Sequence, residues 1–528
     1  MSSINILDHF FAEHLLGKEA ESEKGIALTK LMAASRQGAL CASKEKLSLA
    51  IDTLPASILE EGIELFPKTP VVHHQGFYYI QRNWVYETHI VQEVKRLYSQ
   101  TSPTWLDKEK FEKELENLPL LPAQKNAICK ASSRSFLVLC GGPGSGKTYT
   151  ASYLIALLSA ALKRSEKGSL RIMLAAPTGK AASHLHAAIQ KRGVSEHLEA
   201  TTLHRLLQLS PGQEKLFTHR PIDADVILVD EASMIDISLM AHLLESVGEE
   251  TFLVLIGDPH QLPPVEGGSL FLEIAHLFGA YLDQCMRTEE QELQSMAHAV
   301  KMKDSETFFQ LLSQEKKALS WVASLNKEDL FEWVQPFFSE EMPDPEAALA
   351  SYHHRRILSP IRKGKEGIES LNAFLFEKVS SSKLYWAVPI LAIANDSWTG
   401  IYNGMNGILI GKGREILTTW FPDPITGKMR SFSPEPPYEI AFCLSIHKSQ
   451  GSEYEEVFAL FPQGSESFGK EGLYTAITRA RKKLWLCGSK ETISEIIRTS
   501  VRTESNFTKR VSDALFLHSS EQLQQLGR

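Results

Sequence analysis

Unbroken short apolar runs punctuate the chain from residue 135 onward. SFLVLC at 135–140, Ile172–Ala176, Val226–Val229 and Phe252–Ile256 each end at a turn and show no polar alternation. Strands buried on both faces read this way, because neither side needs to meet water. Helical spacing fills the intervals, beginning with YTASYLIALLSAALK after the first run, so the block predicts a parallel α/β sheet. A second set predicts another α/β lobe: Arg356–Leu358, Ile390–Ala394, Val457–Leu460 and Leu484–Cys487, with a helical stretch at Leu473–Ala480 before the last. Between its parts, Asn403 to Tyr438 is rich in Gly and Pro with short strand-like runs, which suits a small β-barrel insertion. The first hundred residues are mainly helical in pattern and end in the aromatic-rich FYYIQRNWVYE at 77–87. A packed core or a subunit contact accounts for that stretch better than base stacking does.

Length adds a domain count. At 528 residues the chain exceeds one ordinary core. The pattern divides it into an N-terminal domain at 1–110, a first lobe at 111–286 and a second lobe at 287–528 with its insertion near 400–440. The longest apolar run, Ala151–Leu162, is broken by Ser152, Tyr153 and Ser159 and is too short to cross a bilayer. Met1–Phe11 carries Asp8 and no basic cluster, so no signal peptide is read and a cytoplasmic location with no membrane partner is expected. Six cysteines, at 41, 129, 140, 285, 443 and 487, form neither a C-x-x-C pair nor a Cys/His cluster. They read as reduced, mostly buried thiols.

A net charge of −8 argues weakly against a nucleic-acid partner, since phosphate contacts need Lys and Arg. Its distribution is uneven, however. Residues 470–528 hold 11 Lys/Arg against 6 Asp/Glu, leaving −13 for the rest. A protein that grips a strand in a narrow channel can be acidic elsewhere.

Candidate chemistry starts with Gly141, Gly142, Pro143, Gly144, Ser145, Gly146, Lys147 and Thr148, which fit G-x-x-x-x-G-K-[ST] directly after a strand and opening a helix. Glycines let backbone N–H groups turn around phosphates, and the helix N-terminus adds partial positive charge. Lys147 is expected on the β- and γ-phosphates of ATP, and Thr148 on Mg²⁺. Later, Asp230 and Glu231 end the strand VILV; Asp230 suits the metal and Glu231 the attacking water. Acidic pairs after strands are often just solvated turns, so the phosphate loop is what gives this pair its meaning. Gln261, in GDPHQLPPV, could sense the γ-phosphate or orient water, or could belong to a proline-stiffened loop. Arg287, in LDQCMRTE, and Arg479, in LYTAITRAR, are candidate cations for the transferring phosphoryl group. An isolated arginine is more often a surface residue, so only the larger patterns around these two support the assignment.

Taken in order, the phosphate loop, Ala176–Ala182 (APTGKAA), Thr202–Leu207 (TLHRLL), DEAS at 230–233 and GDPHQLPPV resemble the successive motifs of superfamily 1 helicases. Ser445–Glu453 (SIHKSQGSE) and Leu473–Arg481 (LYTAITRAR) resemble that superfamily's fifth and sixth motifs. Within it, SPIRKGKEGIESLN at 359–372, YNGMNG at 402–407, the HKSQGSE block and the N-terminal PVVHHQGFYYIQRNWVYE are similar to the RecD family, the alpha subunit of exodeoxyribonuclease V.

This resemblance implies two RecA-like P-loop NTPase lobes and an ATP-driven 5′-to-3′ helicase on single-stranded DNA. Such a subunit works at DNA ends beside beta and gamma subunits, in double-strand-break repair, with the nuclease elsewhere. It also implies roles for residues. Gln124 matches an adenine-side glutamine, and Arg287 and Arg479 match γ-phosphate arginines; Gln450 and Glu453 match a motif lining the nucleotide cleft. Pro177, Thr178, His204, Ser445 and His447 fall in segments facing DNA. Where relatives carry Asn-Gly-Asp, this chain has Asn403-Gly-Met405, which puts one polar contact in doubt. Residues 209–222 leave room only for a strand-separating β-hairpin or a plain surface loop. A stand-alone helicase of the same family and a non-motor ATP-binding scaffold are the competing readings.

Overall fold

The structure, a computed structural model, describes residues 4–163, 168–193, 197–209, 220–264, 267–282, 291–314, 318–394, 396, 399–423, 426–432, 436–501 and 504–515. Two compact units emerge: residues 1–259, 263–286 and 502–528 form the first, and residues 260–262 and 287–501 the second.

The first unit opens with a four-stranded sheet of β1 (Cys41–Ser43), β2 (Leu59–Glu61), β3 (Val71–His74) and β4 (Phe77–Ile80), in the order β1-β4-β3-β2. Its main sheet comprises β5 (Phe136–Cys140), β6 (Arg171–Ala176), β7 (His197–Thr202), β8 (Val226–Val229), β9 (Phe252–Gly257) and β10 (Gly279–Tyr281), all parallel, in the order β10-β5-β9-β8-β6-β7. The burial explains the unbroken apolar runs. Phe136, Val138, Leu253, Leu255, Ile227 and Val229 face one core, while Leu137, Leu139, Val254, Ile256, Val226 and Leu228 face the other. Alternate residues therefore point to opposite but equally apolar sides.

Residues 1–110, expected as a separate domain, belong to the same unit as this sheet; residues 12–85 mostly hold smaller cores of their own, and the following helix joins the core of the sheet. Helix Gln81–Ser99 lays Tyr86, Ile90, Val91, Val94 and Leu97 into the first of the two cores. Their helical spacing makes one continuous apolar stripe, which packs on helix Ile237–Glu245 of the same unit. The second lobe, expected to run to 528, ends earlier. Helical residues 507–515 belong to the first unit, where Phe507 and Val511 enter the same core. Arg510 Nη1 donates to the buried Glu87 Oε1 at 2.8 Å, its Nη2 donates to Thr88 Oγ1 at 2.6 Å, and its guanidinium lies 4.0 Å from the Trp84 ring centroid.

The second unit holds β11 (Leu319–Val322), β12 (Phe337–Ser339), β13 (Arg355–Ser359), β14 (Tyr385–Ala392), β15 (Asn406–Lys412), β16 (Glu415–Pro422), β17 (Met429–Phe432), β18 (Tyr438–Ile440), β19 (Cys443–Ser445), β20 (Tyr454–Leu460) and β21 (Ala480–Cys487). A parallel sheet runs β11-β21-β20-β13-β19, and an antiparallel sheet runs β12-β14-β15-β16-β17 with β18 also on β14. Two expectations change here. The run at Ile390–Ala394 begins on the end of β14 in the antiparallel sheet, because a strand covered on both faces is apolar whichever way its neighbours run. The expected small barrel is an open antiparallel sheet among the described residues, its outer strands unpaired with each other. The proposed hairpin falls largely on residues 210–219, outside the described residues.

Arg510→Ala should destabilise the chain by about 3–5 kcal/mol, because it strands the Glu87 carboxylate in a dry site without its cation. Urea unfolding measures this, and a loss under about 1 kcal/mol would mean that the pair is not desolvated.

Candidate active site

Helices cover both faces of the first unit's sheet, so its polar chemistry collects where the strands run out. Open α/β sheets bind ligands at the carboxyl ends of their strands. Along that edge, in spatial order, come the glycine loop after β5, Asp258 after β9, Asp230-Glu231 after β8, Pro177-Thr178 after β6 and Leu203-His204 after β7. Motifs scattered through the sequence thus become neighbours in a row.

The glycine loop is shaped for a ligand rather than for packing. A Cβ on Gly141 would meet Ser145 Oγ at 2.4 Å, and Gly146, with φ of 81°, caps helix Lys147–Ala160 from the left-handed region. Lys147 Nζ donates to the carbonyls of Gly141 at 2.6 Å and Gly142 at 3.0 Å. An ammonium held by two neutral carbonyls can exchange them for phosphate oxygens with a gain in charge complementarity. Ser145 Oγ is buried without a hydrogen-bond partner. Thr148 is half-buried at the first turn of the helix. Gln124, in helix Pro122–Cys129, is 2% exposed; its Oε1 accepts from Leu121 N–H at 3.0 Å while its buried Nε2 has no partner. An amide donor left open in a buried place suits an acceptor on a ligand such as a purine base.

Asp230 Oδ1 accepts from Glu231 N–H at 2.8 Å. Burial and the adjacent Glu231 carboxylate push Asp230 up to about 7, against the pull of Lys147. Glu231 itself sits at φ 53° and ψ 39°, a left-handed conformation that a non-glycine residue adopts at a cost of about 1–2 kcal/mol. Strain of this kind concentrates at functional turns, where it aims a side chain.

The second unit gathers a separate group. Residues 260–262 pack there: Leu262 N–H donates to Thr475 Oγ1 at 2.8 Å, Gln450 Nε2 donates to Leu262 O at 2.7 Å, and His260 meets the Tyr474 ring at 6.0 Å. Gln261 is buried within this turn. Thr475, not singled out by sequence, is the hydroxyl that fixes the loop; its only signal was its place inside LYTAITRAR. Arg479 is 3% exposed, with Nη1 donating to Ser452 O at 3.1 Å and Nε buried without a partner. Glu453 accepts from Arg481 Nε at 2.8 Å, so part of its charge is engaged at the surface. Arg287 lies outside the described residues. Met405 packs half-buried on the apolar core of the antiparallel sheet, which accounts for its apolar character.

Of the residues expected to face DNA, Pro177 follows β6 and Thr178 caps helix Gly179–Gln190, accepting from Ala181 N–H at 3.3 Å. His204 lies in the short helix Leu203–Leu206. In the second unit, Ser445 ends β19 and His447 opens the next turn, its ring 6.4 Å from Phe468.

Residues 124–267 match an AAA domain family, and residues 440–487 match the UvrD-like helicase C-terminal domain. The RecBCD enzyme subunit RecD of Mycolicibacterium smegmatis is 32% identical over 74% of this chain and 75% of its own length. The chain belongs to the RecD family. The subunit of the same name from Mycobacterium tuberculosis is 29% identical over 94% of this chain and 93% of its own. A weaker likeness, at 16% identity and TM-score 0.41, is to Bacteroides Pif1 bound to ssDNA, covering 71% of this chain and 94% of that one. RecD membership and the glycine loop make this a nucleotide-binding motor protein of the two-lobed, RecA-like α/β kind. No helix among the described residues is long and apolar enough to cross a membrane.

The raised Asp230 carboxyl carries a pH prediction. Its folded value of about 7 exceeds the ordinary 3.8, so the folded state holds the proton more tightly. That stabilisation is complete below about pH 4 and is lost as pH rises through about 7. Asp230→Asn is immune to the loss. Without nucleotide or metal, its Tm should gain steadily on the wild type between about pH 4 and 8; a constant offset would mean that Asp230 titrates normally.

Proposed function

We propose that this chain is the alpha-type subunit of a RecBCD-like exodeoxyribonuclease V, working beside beta and gamma subunits at double-strand DNA ends and moving 5′-to-3′ along the unwound strand. It is an ATP-hydrolysing DNA helicase. The observation that carries this reading is the row of strand ends in the first unit, with the phosphate-type loop at one side and Pro177, Thr178 and His204 at the other. Such an order lets one sheet couple nucleotide state to DNA contact.

Mg²⁺-ATP, when bound, supplies the phosphoryl group whose transfer to water drives the cycle. Lys147 gives up its two loop carbonyls for the β- and γ-phosphate oxygens. Thr148 and ionised Asp230 would hold the metal, and the half-buried position of both beside the loop fits a hard cation. Glu231 takes the proton of the attacking water, its aim set by the left-handed backbone. Gln124 offers its open Nε2 to the adenine. Arg479, with its buried guanidinium only partly engaged, is available to neutralise charge on the γ-phosphate during the cycle. Gln450 and Thr475 hold the Gln261 turn, so that Gln261 can report the presence of that phosphate. Arg287 and Glu453 are assigned to the same machinery by family resemblance.

Lys147→Ala should keep the wild-type circular dichroism and lose both DNA-stimulated ATP hydrolysis and unwinding. Retained unwinding by a clean preparation would overturn the site. Arg479→Ala should still bind nucleotide but turn it over about 10³-fold more slowly, as expected for a cation acting in the transition state. Single-turnover hydrolysis separates the two effects; weakened binding with a normal rate at saturation would contradict the role.

A further inference from the structure

We propose that Glu369 and Glu439, at a cavity in the second unit, serve as competing counter-ions that keep weak its grip on the translocating single strand. The inference rests on the helicase reading above and deepens it. The cavity, about 430 Å³, opens where two strands of the parallel sheet run out: Ser445 ends β19, and Arg362 follows the end of β13. Its other wall is helix Ile368–Ser380, whose Glu369, Asn372 and Phe376 share one face. Carboxyl-end crevices of this kind are the ligand sites of open α/β sheets.

The lining chemistry suits a nucleotide. Arg362 and Lys448 are cations for a phosphate. Phe376 is half-buried and held edge-on by Trp386, with centroids 5.6 Å apart at 90°, so its ring is fixed in place for a base to stack on. Ser445 Oγ accepts from Lys448 N–H at 3.2 Å, which leaves the hydroxyl proton to donate to a phosphate oxygen. Asn372 is a positioning residue: its Nδ2 donates to Ile440 O at 2.7 Å and Cys443 O at 3.0 Å, and its Oδ1 accepts from Cys443 N–H at 2.8 Å, pinning the approach to β19 against the helix. Lys363 and Lys365, both exposed, continue the positive charge beyond Arg362, as a polyanion rather than a free nucleotide would require.

Both cations are already masked. Arg362 Nε donates to Glu369 Oε1 at 2.8 Å, and Lys448 Nζ donates to Glu439 Oε1 at 2.6 Å. The carboxylates line the same cavity, so a phosphate enters by displacing them. The Arg362 and Glu369 side chains are 73% and 51% exposed, which makes the exchange easy. Because each cation trades one anion for another, fewer salt ions are released than naked cations would release, and binding is weaker and less salt-sensitive. A motor that must let go on every cycle benefits from that, since tight grip shows up mainly as slow release.

The test uses the full chain and a fluorescently labelled oligo-dT, with anisotropy measured across a salt series. The Glu369→Gln/Glu439→Gln variant should bind about tenfold more tightly at low salt, and its log–log salt slope should steepen by about 1.4 for two unmasked phosphate contacts. Its DNA-stimulated ATP turnover should fall as release slows. Arg362→Ala/Lys448→Ala should weaken binding, and Phe376→Ala should weaken it without changing the slope. Wild-type affinity and slope in the glutamine variant would overturn the proposal. If the wild type itself neither binds the oligonucleotide nor is stimulated by it, the helicase reading fails instead; if the wild type does both and only the glutamine variant is unremarkable, this inference fails alone.

Discussion

Burial of a parallel sheet on both faces is the constraint from which the rest of the first unit follows. With Phe136, Val138, Leu253 and Leu255 committed to one core and Leu137, Leu139, Val254 and Ile256 to the other, no side chain along these strands is free for chemistry. Only the strand ends remain, and the backbone there must turn sharply to enter the next helix. Those turns supply what phosphate recognition needs: inward N–H groups, a helix N-terminus and carboxylates that do not have to be solvated. The cost appears locally, as a left-handed Glu231 and an Asp230 whose proton is held up to about 7.

How much of this could be read from sequence depended on whether a residue's role was local. Val226–Val229 is legible because two-sided burial leaves an apolar run with sharp ends. The edge strands β7, HLEATT, and β10, GAY, were missed because an edge need not be apolar. Ile390–Ala394 misled for the opposite reason: β14 is nearly all buried, and burial says nothing about the direction of its neighbours. The phosphate loop and the Asp-Glu pair carry their meaning in consecutive residues. Thr475 does not, since a threonine in a helix gains a function only when its partner, Leu262 N–H, is known.

The two units use charge differently. In the first, Lys147 is held by uncharged carbonyls and is ready to gain from an anion. In the second, Arg362 and Lys448 are matched with carboxylates and gain little. An acidic chain with net charge −8 can therefore hold a triphosphate firmly and a polyanionic strand loosely.

The pairing of Arg510 with Glu87 spans 423 positions of sequence. On a ribosome, the amino-terminal part emerges first, yet the carboxylate it must bury has no cation until residue 510 has been made. Helix Gln81–Ser99 then waits with part of its apolar stripe uncovered, because Phe507 and Val511 arrive equally late. Nascent chains of this length commonly fold domain by domain, from the amino end. Here that order is closed off: the first unit is completed only after the second has been made, and a truncation just after residue 500 would register as damage around helix Gln81–Ser99.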